Sequence, residues 1–163
     1  MRCFIAIDFP RNVMNSIAGV QKELQNKKVF HGKITELENL HLTLKFLGEI
    51  PEERVEEVKK ILKTIKFSKF NSSLGELGIF NPRFIRLVWI HILGGKILEL
   101  QKQIDEKLKD LFPVEERFMS HLTIARVKNI KDKKLFLEEL KKIRVPKMEF
   151  PIERFSWYHF TSP

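Results

Sequence analysis

The sequence contains the pattern His-Leu-Thr-aliphatic twice, first at His41 and again 80 residues later at His121. In both copies polar residues alternate with apolar ones, which is the pattern of a half-buried β-strand. Because residues i and i+2 of a strand point to the same face, Thr43 lies beside His41 and Thr123 lies beside His121. The repeat therefore predicts two similar strands, each presenting an imidazole and a hydroxyl on one face.

The rest of the chain shows strand and helix patterns in the same order in both halves. Some segments repeat apolar residues at helical spacing, whereas others are short apolar or alternating runs bounded by Pro or Gly. The prolines around the run 147–152 restrict that strand to a short or edge position. Predicted strands are residues 2–9, 29–34, 41–47, 85–93, 121–127, 147–152 and 154–160, and predicted helices are residues 11–28, 52–65, 96–112 and 132–143.

This succession of elements predicts layers of helices and strands, an α/β or α+β fold, with two halves related by an approximate internal twofold axis. No segment has the composition of a linker or a low-complexity region. A length of 163 residues suits one domain of ordinary size. We therefore expect residues 1–163 to form a single domain with two lobes that face one cleft.

The formal net charge of +9 is skewed toward the C-terminal half. A basic surface attracts acidic partners such as RNA. A lysine-rich solvated surface gives the same balance, so charge leaves both interpretations open. Cys3 is the only cysteine, which excludes an internal disulfide and favours a cytoplasmic protein. With no membrane-length apolar run and no signal peptide pattern, we expect neither membrane association nor secretion.

The two histidines are candidates for acid and base catalysis. Histidine titrates near neutrality, so one imidazole can accept a proton while the other, charged, donates one. Threonine hydroxyls can donate hydrogen bonds to phosphate oxygens and help to stabilise an anionic pentacoordinate phosphorus. A single histidine on a strand is usually structural, but two apolar-flanked His-x-Thr units favour function. The pattern indicates phosphodiester cleavage without a metal or another cofactor.

Other potential motifs do not indicate a second chemistry. His31, His91 and His159 lie in different predicted elements and lack zinc-ligand spacing, so we expect no metal site. The pair Gly94-Gly95 precedes a helix but lacks the frame of a phosphate-binding P-loop. The three histidines are expected to be structural or exposed, and the two glycines to form a turn.

The segments "MRCFIAID", "NLHLTLKFLGEI", "RLVWI" and "HLTIARV" resemble, in this order, the 2H phosphoesterase superfamily. Within it, the chain is similar to the RNA 2′,3′-cyclic phosphodiesterases, also described as 2′-5′ RNA ligases. The resemblance implies a bilobal fold with antiparallel-rich sheets facing a central cleft and helices outside. It also implies metal-independent hydrolysis of an RNA 2′,3′-cyclic phosphate end to a 2′-phosphomonoester. His41 would be the proton donor, His121 the proton acceptor, and Thr43 and Thr123 would bind the phosphate.

Phe46 and Arg126 each follow their histidine by five residues, on the opposite parity of a regular strand. In the family these positions approach the nucleotide, so we expect a strand end or a bulge to turn both side chains into the cleft. Lys45 has the parity of His41 and could touch phosphate, although a solvated lysine is the more ordinary interpretation. The chain departs from the family at Ser120, where a proline is common, and at "FTSP", where relatives continue into a final strand.

The expected partner is RNA with a 2′,3′-cyclic phosphate end, tRNA fragments being one candidate source, and the protein is expected to act as a monomer. The same site could also run in reverse and join RNA ends through a 2′-5′ linkage. Two alternatives stay open: a non-catalytic module that binds RNA or nucleotides, and a phosphodiesterase acting on small cyclic nucleotides.

Overall fold

The structure is a computed structural model that describes residues 1–160. The final Thr-Ser-Pro, part of the "FTSP" segment named in the sequence analysis, lies outside the described residues. Strands are β1 (Arg2–Ile7), β2 (His31–Ile34), β3 (Leu42–Glu49), β4 (Phe70–Gly78), β5 (Leu87–Leu93), β6 (His121–Asn129), β7 (Glu149–Ile152) and β8 (Ser156–Phe160), and helices are α1 (Arg11–Asn26), α2 (Glu52–Leu62), α3 (Gly95–Leu108) and α4 (Lys133–Lys142).

The described strands form two antiparallel sheets. The first sheet has the order β3-β1-β8, and the second has the order β2-β6-β5-β4-β7. Each sheet thus contains one of the two His-x-Thr strands, β3 or β6. This arrangement confirms the predicted fold class: mixed helices and strands, with two similar lobes of antiparallel strands. The predicted short or edge position of the proline-restricted strand is confirmed as well, since β7 has four residues and, among the described strands, pairs with β4 alone.

Helices α1 and α3 each pack against the sheet that carries the His-x-Thr strand of the other half of the sequence. Helix α1 follows β1 but packs against β6 of the second sheet, and helix α3 follows β5 but packs against β3 of the first. Their buried faces use residues at the same 80-residue spacing as the two histidines: Ile17, Val20, Gln21 and Leu24 in α1, and Ile97, Leu100, Gln101 and Ile104 in α3. Each His-x-Thr strand is therefore supported from behind by the helix of the other half.

Strand β4 was absent from the sequence predictions. Its sequence, "FNSSLGELG", is rich in Ser and Gly and poor in β-branched residues, so its local preference for a strand is weak. It forms because β5 and β7 pair with it on both sides, with Phe70 and Leu74 buried in the core.

Among residues 1–160, each helix is too short or too polar to cross a bilayer.

Candidate active site

The site is a cavity of about 450 Å³ between the two His-x-Thr strands. Both strands contribute to its lining, so the two halves of the chain meet at one space. The six residues that the sequence singled out all line it: His41, Thr43, Phe46, His121, Thr123 and Arg126. The structure thus brings together the complete predicted set, at the place where a small ligand would contact both halves.

A bulge at the same point of each motif turns the nucleotide-binding candidates toward the cavity. In β3, the pairing with β1 skips Leu44, so Leu44 and Lys45 are both buried and Phe46 is 55% exposed. In β6, the pairing with β5 skips Ile124, and Arg126 becomes exposed in the same way. The extra residue reverses the alternation of side chains beyond it. The expected bulge is therefore confirmed in both halves.

His121 is held by the backbone that precedes its strand. Its Nδ1 lies 2.8 Å from the carbonyl oxygen of Met119. A carbonyl oxygen only accepts hydrogen bonds, so Nδ1 carries a proton and donates it, which leaves Nε2 of a neutral ring free to accept. The carbonyl of Ser120 accepts a 3.0 Å hydrogen bond from the Ile92 amide and fixes the entry to β6. Nε2 of His121 is thus the ring nitrogen left to accept a proton, and a backbone hydrogen bond fixes the position of Ser120 before it.

His41 has a different neighbourhood, in which its closest charged partner is a carboxylate. Its Nε2 lies 3.4 Å from Oδ1 of Asp8, and only 16% of its side chain is exposed. The ring of Tyr158 lies 4.3 Å from the imidazole, centroid to centroid, and the Tyr158 hydroxyl donates a hydrogen bond to Asp8. A carboxylate beside an imidazole stabilises its charged form. Asp8 therefore favours the imidazolium, in opposition to the burial of the ring.

Two titrations in this cluster are shifted. Burial lowers the pKa of His41, and the negative charge of Asp8 opposes that shift. Burial, followed by the hydrogen bond to Asp8, raises the pKa of Tyr158 far above its usual value. Tyr158 therefore stays a neutral hydrogen-bond donor at physiological pH. His41 lies between an apolar environment that favours its neutral form and a carboxylate that favours its charged form.

Lys45 does not reach the cavity, so both sequence interpretations of it, as a phosphate contact or as a solvated side chain, were wrong. The bulge at Leu44 turns it into the interior, where its Nζ is 2.5 Å from Oδ1 of Asp105 and 2.8 Å from the carbonyl oxygen of Pro113. The other oxygen of Asp105 accepts hydrogen bonds from Gln101 Nε2 and from the amide of Glu115. This buried network ties β3 to the segment that leads toward β6.

Gln21 lies behind β6, as the pair of Lys45 and Asp105 lies behind β3. Its Nε2 donates to the carbonyl oxygens of Thr35, at 2.8 Å, and Ile124, at 3.0 Å. The amide of Thr35 also donates to Ile124. Ile124 is the bulged residue between Thr123 and Arg126, and its carbonyl oxygen thus accepts hydrogen bonds from both Gln21 and Thr35.

The sequence analysis missed Asp8 and Tyr158 as parts of the site. Asp8 is the first residue after β1 and Tyr158 is the only tyrosine of the chain, which are weak signals. They meet because β1 and β8 pair, although 150 positions separate the two residues in sequence. Within residues 1–160, no group of three or more His, Cys, Asp or Glu side chains is arranged to hold a metal ion.

Comparisons with known proteins agree with this geometry. The family model of LigT-like phosphoesterases matches residues 7–89 and 93–162. An RNA 2′,3′-cyclic phosphodiesterase of Methanocaldococcus jannaschii is 38% identical, with 99% of this chain and 92% of the relative covered. A protein of the same description from Thermotoga maritima is 31% identical, with 99% and 87% covered.

Solved structures show the same fold. A protein of Thermus thermophilus superposes with a TM-score of 0.78 at 24% identity, covering 96% of this chain and 87% of that protein. LigT of E. coli, solved in complex with 3′-AMP, superposes with a TM-score of 0.75 at 21% identity, covering 99% of this chain and 90% of LigT. At these identities the superpositions establish the fold and nothing finer.

Proposed function

Since this chain belongs to the LigT-like phosphoesterase family, we infer that it is an enzyme that hydrolyses the 2′,3′-cyclic phosphodiester at the end of RNA. Relatives described as RNA 2′,3′-cyclic phosphodiesterases match nearly its whole length. The observation that carries the inference is the convergence of two His-x-Thr pairs on one cavity. Two imidazoles and two hydroxyls supply what this reaction needs: a base, an acid and donors to the phosphate oxygens.

In the proposed mechanism, Nε2 of His121 takes a proton from water as the water oxygen attacks phosphorus. The bond between phosphorus and the 3′ oxygen then breaks, and His41 gives a proton to that departing oxygen. The products are a free 3′-hydroxyl and a 2′-phosphomonoester. The hydroxyls of Thr43 and Thr123 donate hydrogen bonds to the non-bridging oxygens, where negative charge grows in the transition state.

The surroundings of the two histidines support this division of roles. His121 donates its Nδ1 proton to the Met119 carbonyl, so its other nitrogen is set to accept. His41 faces Asp8, which favours the charged form that a proton donor needs. The identical motifs would thus perform opposite proton transfers because their neighbours differ.

Phe46 and Arg126 are proposed to hold the terminal nucleotide. Both side chains are exposed and line the cavity from opposite strands. A phenylalanine ring can stack on a base, and a guanidinium can contact a base or a phosphate. We further propose that residues 1–163 act as one domain and as a monomer in the cytoplasm, without binding a membrane, on RNA ends such as those of tRNA fragments. Reverse 2′-5′ joining would use the same groups, with a 5′-hydroxyl in place of water.

The test is hydrolysis of a short RNA that ends in a 2′,3′-cyclic phosphate, in buffer containing EDTA. We expect turnover by the wild type and losses of about 10²- to 10⁴-fold in kcat for His41→Ala and for His121→Ala. His31→Ala is the matched control, because His31 is exposed on β2 and does not line the cavity. Equal turnover by the wild type and both variants would contradict the mechanism. RNA binding without turnover would favour a non-catalytic module.

A further inference from the structure

A second feature lies beside the cavity: the connection between β4 and β5, residues 79–86, which we name the aromatic turn. It presents two of the most exposed phenylalanines of the described chain, Phe80 at 55% and Phe84 at 62%. Arg83 and Arg86 are exposed in the same segment. Exposed aromatic rings beside a cavity can mark a ligand-binding surface.

The aromatic turn is held in a defined shape. The carbonyl of Asn81 accepts a 3.1 Å hydrogen bond from the Phe84 amide, and its side-chain oxygen accepts one of 2.9 Å from the Arg83 amide. Pro82 occupies the second position, where a fixed φ favours this turn. Lys133 Nζ donates to the carbonyl of Arg83 from the start of α4. The exposed rings are therefore presented by a preorganised backbone.

The charge around the turn fits a polyanion. No acidic residue occurs between Glu76 and Glu99. The guanidinium of Arg86 lies 4.4 Å from the centre of the Phe84 ring, so a cation and an aromatic face are presented together. Aromatic rings interleaved with arginines are the usual means of binding single-stranded nucleic acid, by stacking on bases and by contacts to phosphates.

The turn is continuous with the site. The Phe80 ring meets the His121 ring edge to face, 5.0 Å between centroids, and lies 5.3 Å from Trp89. Trp89 is paired with Thr123 across β5 and β6. The backbone of Arg86 accepts a 2.7 Å hydrogen bond from Val127, next to Arg126. An RNA chain whose end occupies the cavity can therefore reach the turn without leaving the protein surface.

We propose that the aromatic turn binds the nucleotides that precede the terminal one in the substrate RNA. The proposal rests on the proposed function, which requires only the terminal cyclic phosphate and its nucleotide. The turn would add affinity for a chain of several nucleotides by stacking of bases on Phe84 and by contact of phosphates with Arg83. It would make the enzyme prefer oligoribonucleotides to cyclic mononucleotides.

The experiment compares two substrates: a 2′,3′-cyclic mononucleotide, too small to span cavity and turn, and a hexaribonucleotide with a 2′,3′-cyclic end. For the hexaribonucleotide we expect a lower KM than for the mononucleotide, and about a tenfold rise in that KM for Phe84→Ala. For this substrate, Arg83→Ala should lower the slope of log KM against log salt concentration by about 0.7. The KM of the mononucleotide serves as the internal control.

Matched controls are Leu98→Ala, an exposed apolar residue of α3, and Arg144→Ala, an exposed arginine between α4 and β7. The proposal is overturned if the wild type has the same KM for both substrates, or if Phe84→Ala behaves like Leu98→Ala. If the wild type hydrolyses neither substrate, the proposed function fails instead. Fluorescence anisotropy with a labelled hexaribonucleotide ending in a 2′-phosphate then tests the turn, and equal affinity of wild type and Phe84→Ala would reject it.

Discussion

Strands β3 and β6 carry the same motif in the same construction. Each presents a histidine and a threonine to the cavity, each has its bulge three residues after the histidine, and each is covered from behind by a helix of the opposite half. They differ in what surrounds that common frame. His121 is bound to a backbone carbonyl, whereas His41 faces the carboxylate of Asp8. Two identical groups on a duplicated scaffold thus have different neighbours, and this difference is the basis of the opposite proton transfers proposed for them.

The two strands also differ in the polar contacts behind them. Gln21 donates to two carbonyl groups behind β6 with a neutral amide. Behind β3 the same space holds an ion pair, Lys45 with Asp105, both about 5% exposed. The position of Lys45 in the motif corresponds to Ala125 in the other half. The first His-x-Thr strand therefore depends on the buried ion pair of Lys45 and Asp105, whereas the second depends on the neutral amide of Gln21.

The largest expected difference between the halves is in stability. Lys45→Met removes one partner of a buried ion pair and leaves the other charge uncompensated, which costs about 3–5 kcal/mol in the free energy of unfolding. Gln21→Leu leaves the Thr35 carbonyl without its donor and should cost about 1–2 kcal/mol. Urea unfolding of both variants measures the difference.

The double variant Lys45→Met/Asp105→Asn is the control for this comparison. It removes both charges and should recover part of the lost stability, because the amide of Asn can still accept from Gln101 or Glu115. A Lys45→Met variant that is more stable than Gln21→Leu would contradict the dependence of the first half on its ion pair.

The error over Lys45 shows what the sequence could and could not predict. Strand parity correctly placed each histidine with its threonine, and the family resemblance required Phe46 and Arg126 to turn toward the cavity. A bulge that turns Phe46 inward must turn Lys45 away, since neighbouring residues face opposite sides. Regular strand parity, by contrast, places Lys45 on the side of His41. The sequence contained enough information for this correction, once the bulge was accepted.

Other parts of the site had no comparable signal. Asp8 and Tyr158 come together only through the pairing of β1 with β8. Asp105 looks like a polar position of an amphipathic helix, and its burial depends on Lys45 from another element. Strand β4 depends on its two neighbours more than on its own residues. Such contacts arise from tertiary packing, which periodicity along the chain does not record.

The next largest effect concerns the phosphate. If the two halves hold it symmetrically, Thr43→Val and Thr123→Val should each reduce kcat/KM by about 10- to 100-fold, the value of a hydrogen bond to a charged group. Valine keeps the shape and removes only the donor. Thr64→Val, at an exposed position just after α2, is the control. A loss of kcat/KM in only one of the two variants would mean that the two halves do not hold the phosphate symmetrically.

Phe46 and Arg126, the proposed nucleotide contacts of the two halves, should differ in how their effects on KM depend on salt. Phe46→Ala removes a stacking surface and should raise KM about tenfold at any ionic strength. Arg126→Ala removes a charge, so its effect should be of similar size at low salt and shrink as salt is added. Initial rates at low and high salt, on a cyclic mononucleotide, separate the two. If added salt changed the effects of both substitutions on KM equally, a division between stacking by Phe46 and charge at Arg126 would be contradicted.

The smallest effect probes the carboxylate that distinguishes His41 from His121. Asp8 favours protonated His41, so Asp8→Asn should lower the pKa of His41 beyond the decrease that burial already causes. A proton donor acts only while protonated, so activity declines above its pKa, and the alkaline limb of the pH profile should move to lower pH. Asp8 is about half exposed, which limits the change in rate at neutral pH to about fivefold.

The acidic limb should stay in place in Asp8→Asn, because no ion pair or hydrogen bond among the described residues joins Asp8 to His121, the proposed base. The control is Glu38→Gln, which removes a negative charge from the lining of the same cavity. An equal displacement of the alkaline limb by both substitutions would indicate a general effect of charge. A displacement of the acidic limb to lower pH, with the alkaline limb in place, would mean that His41 acts as the base, and the roles assigned to the two histidines would have to be exchanged.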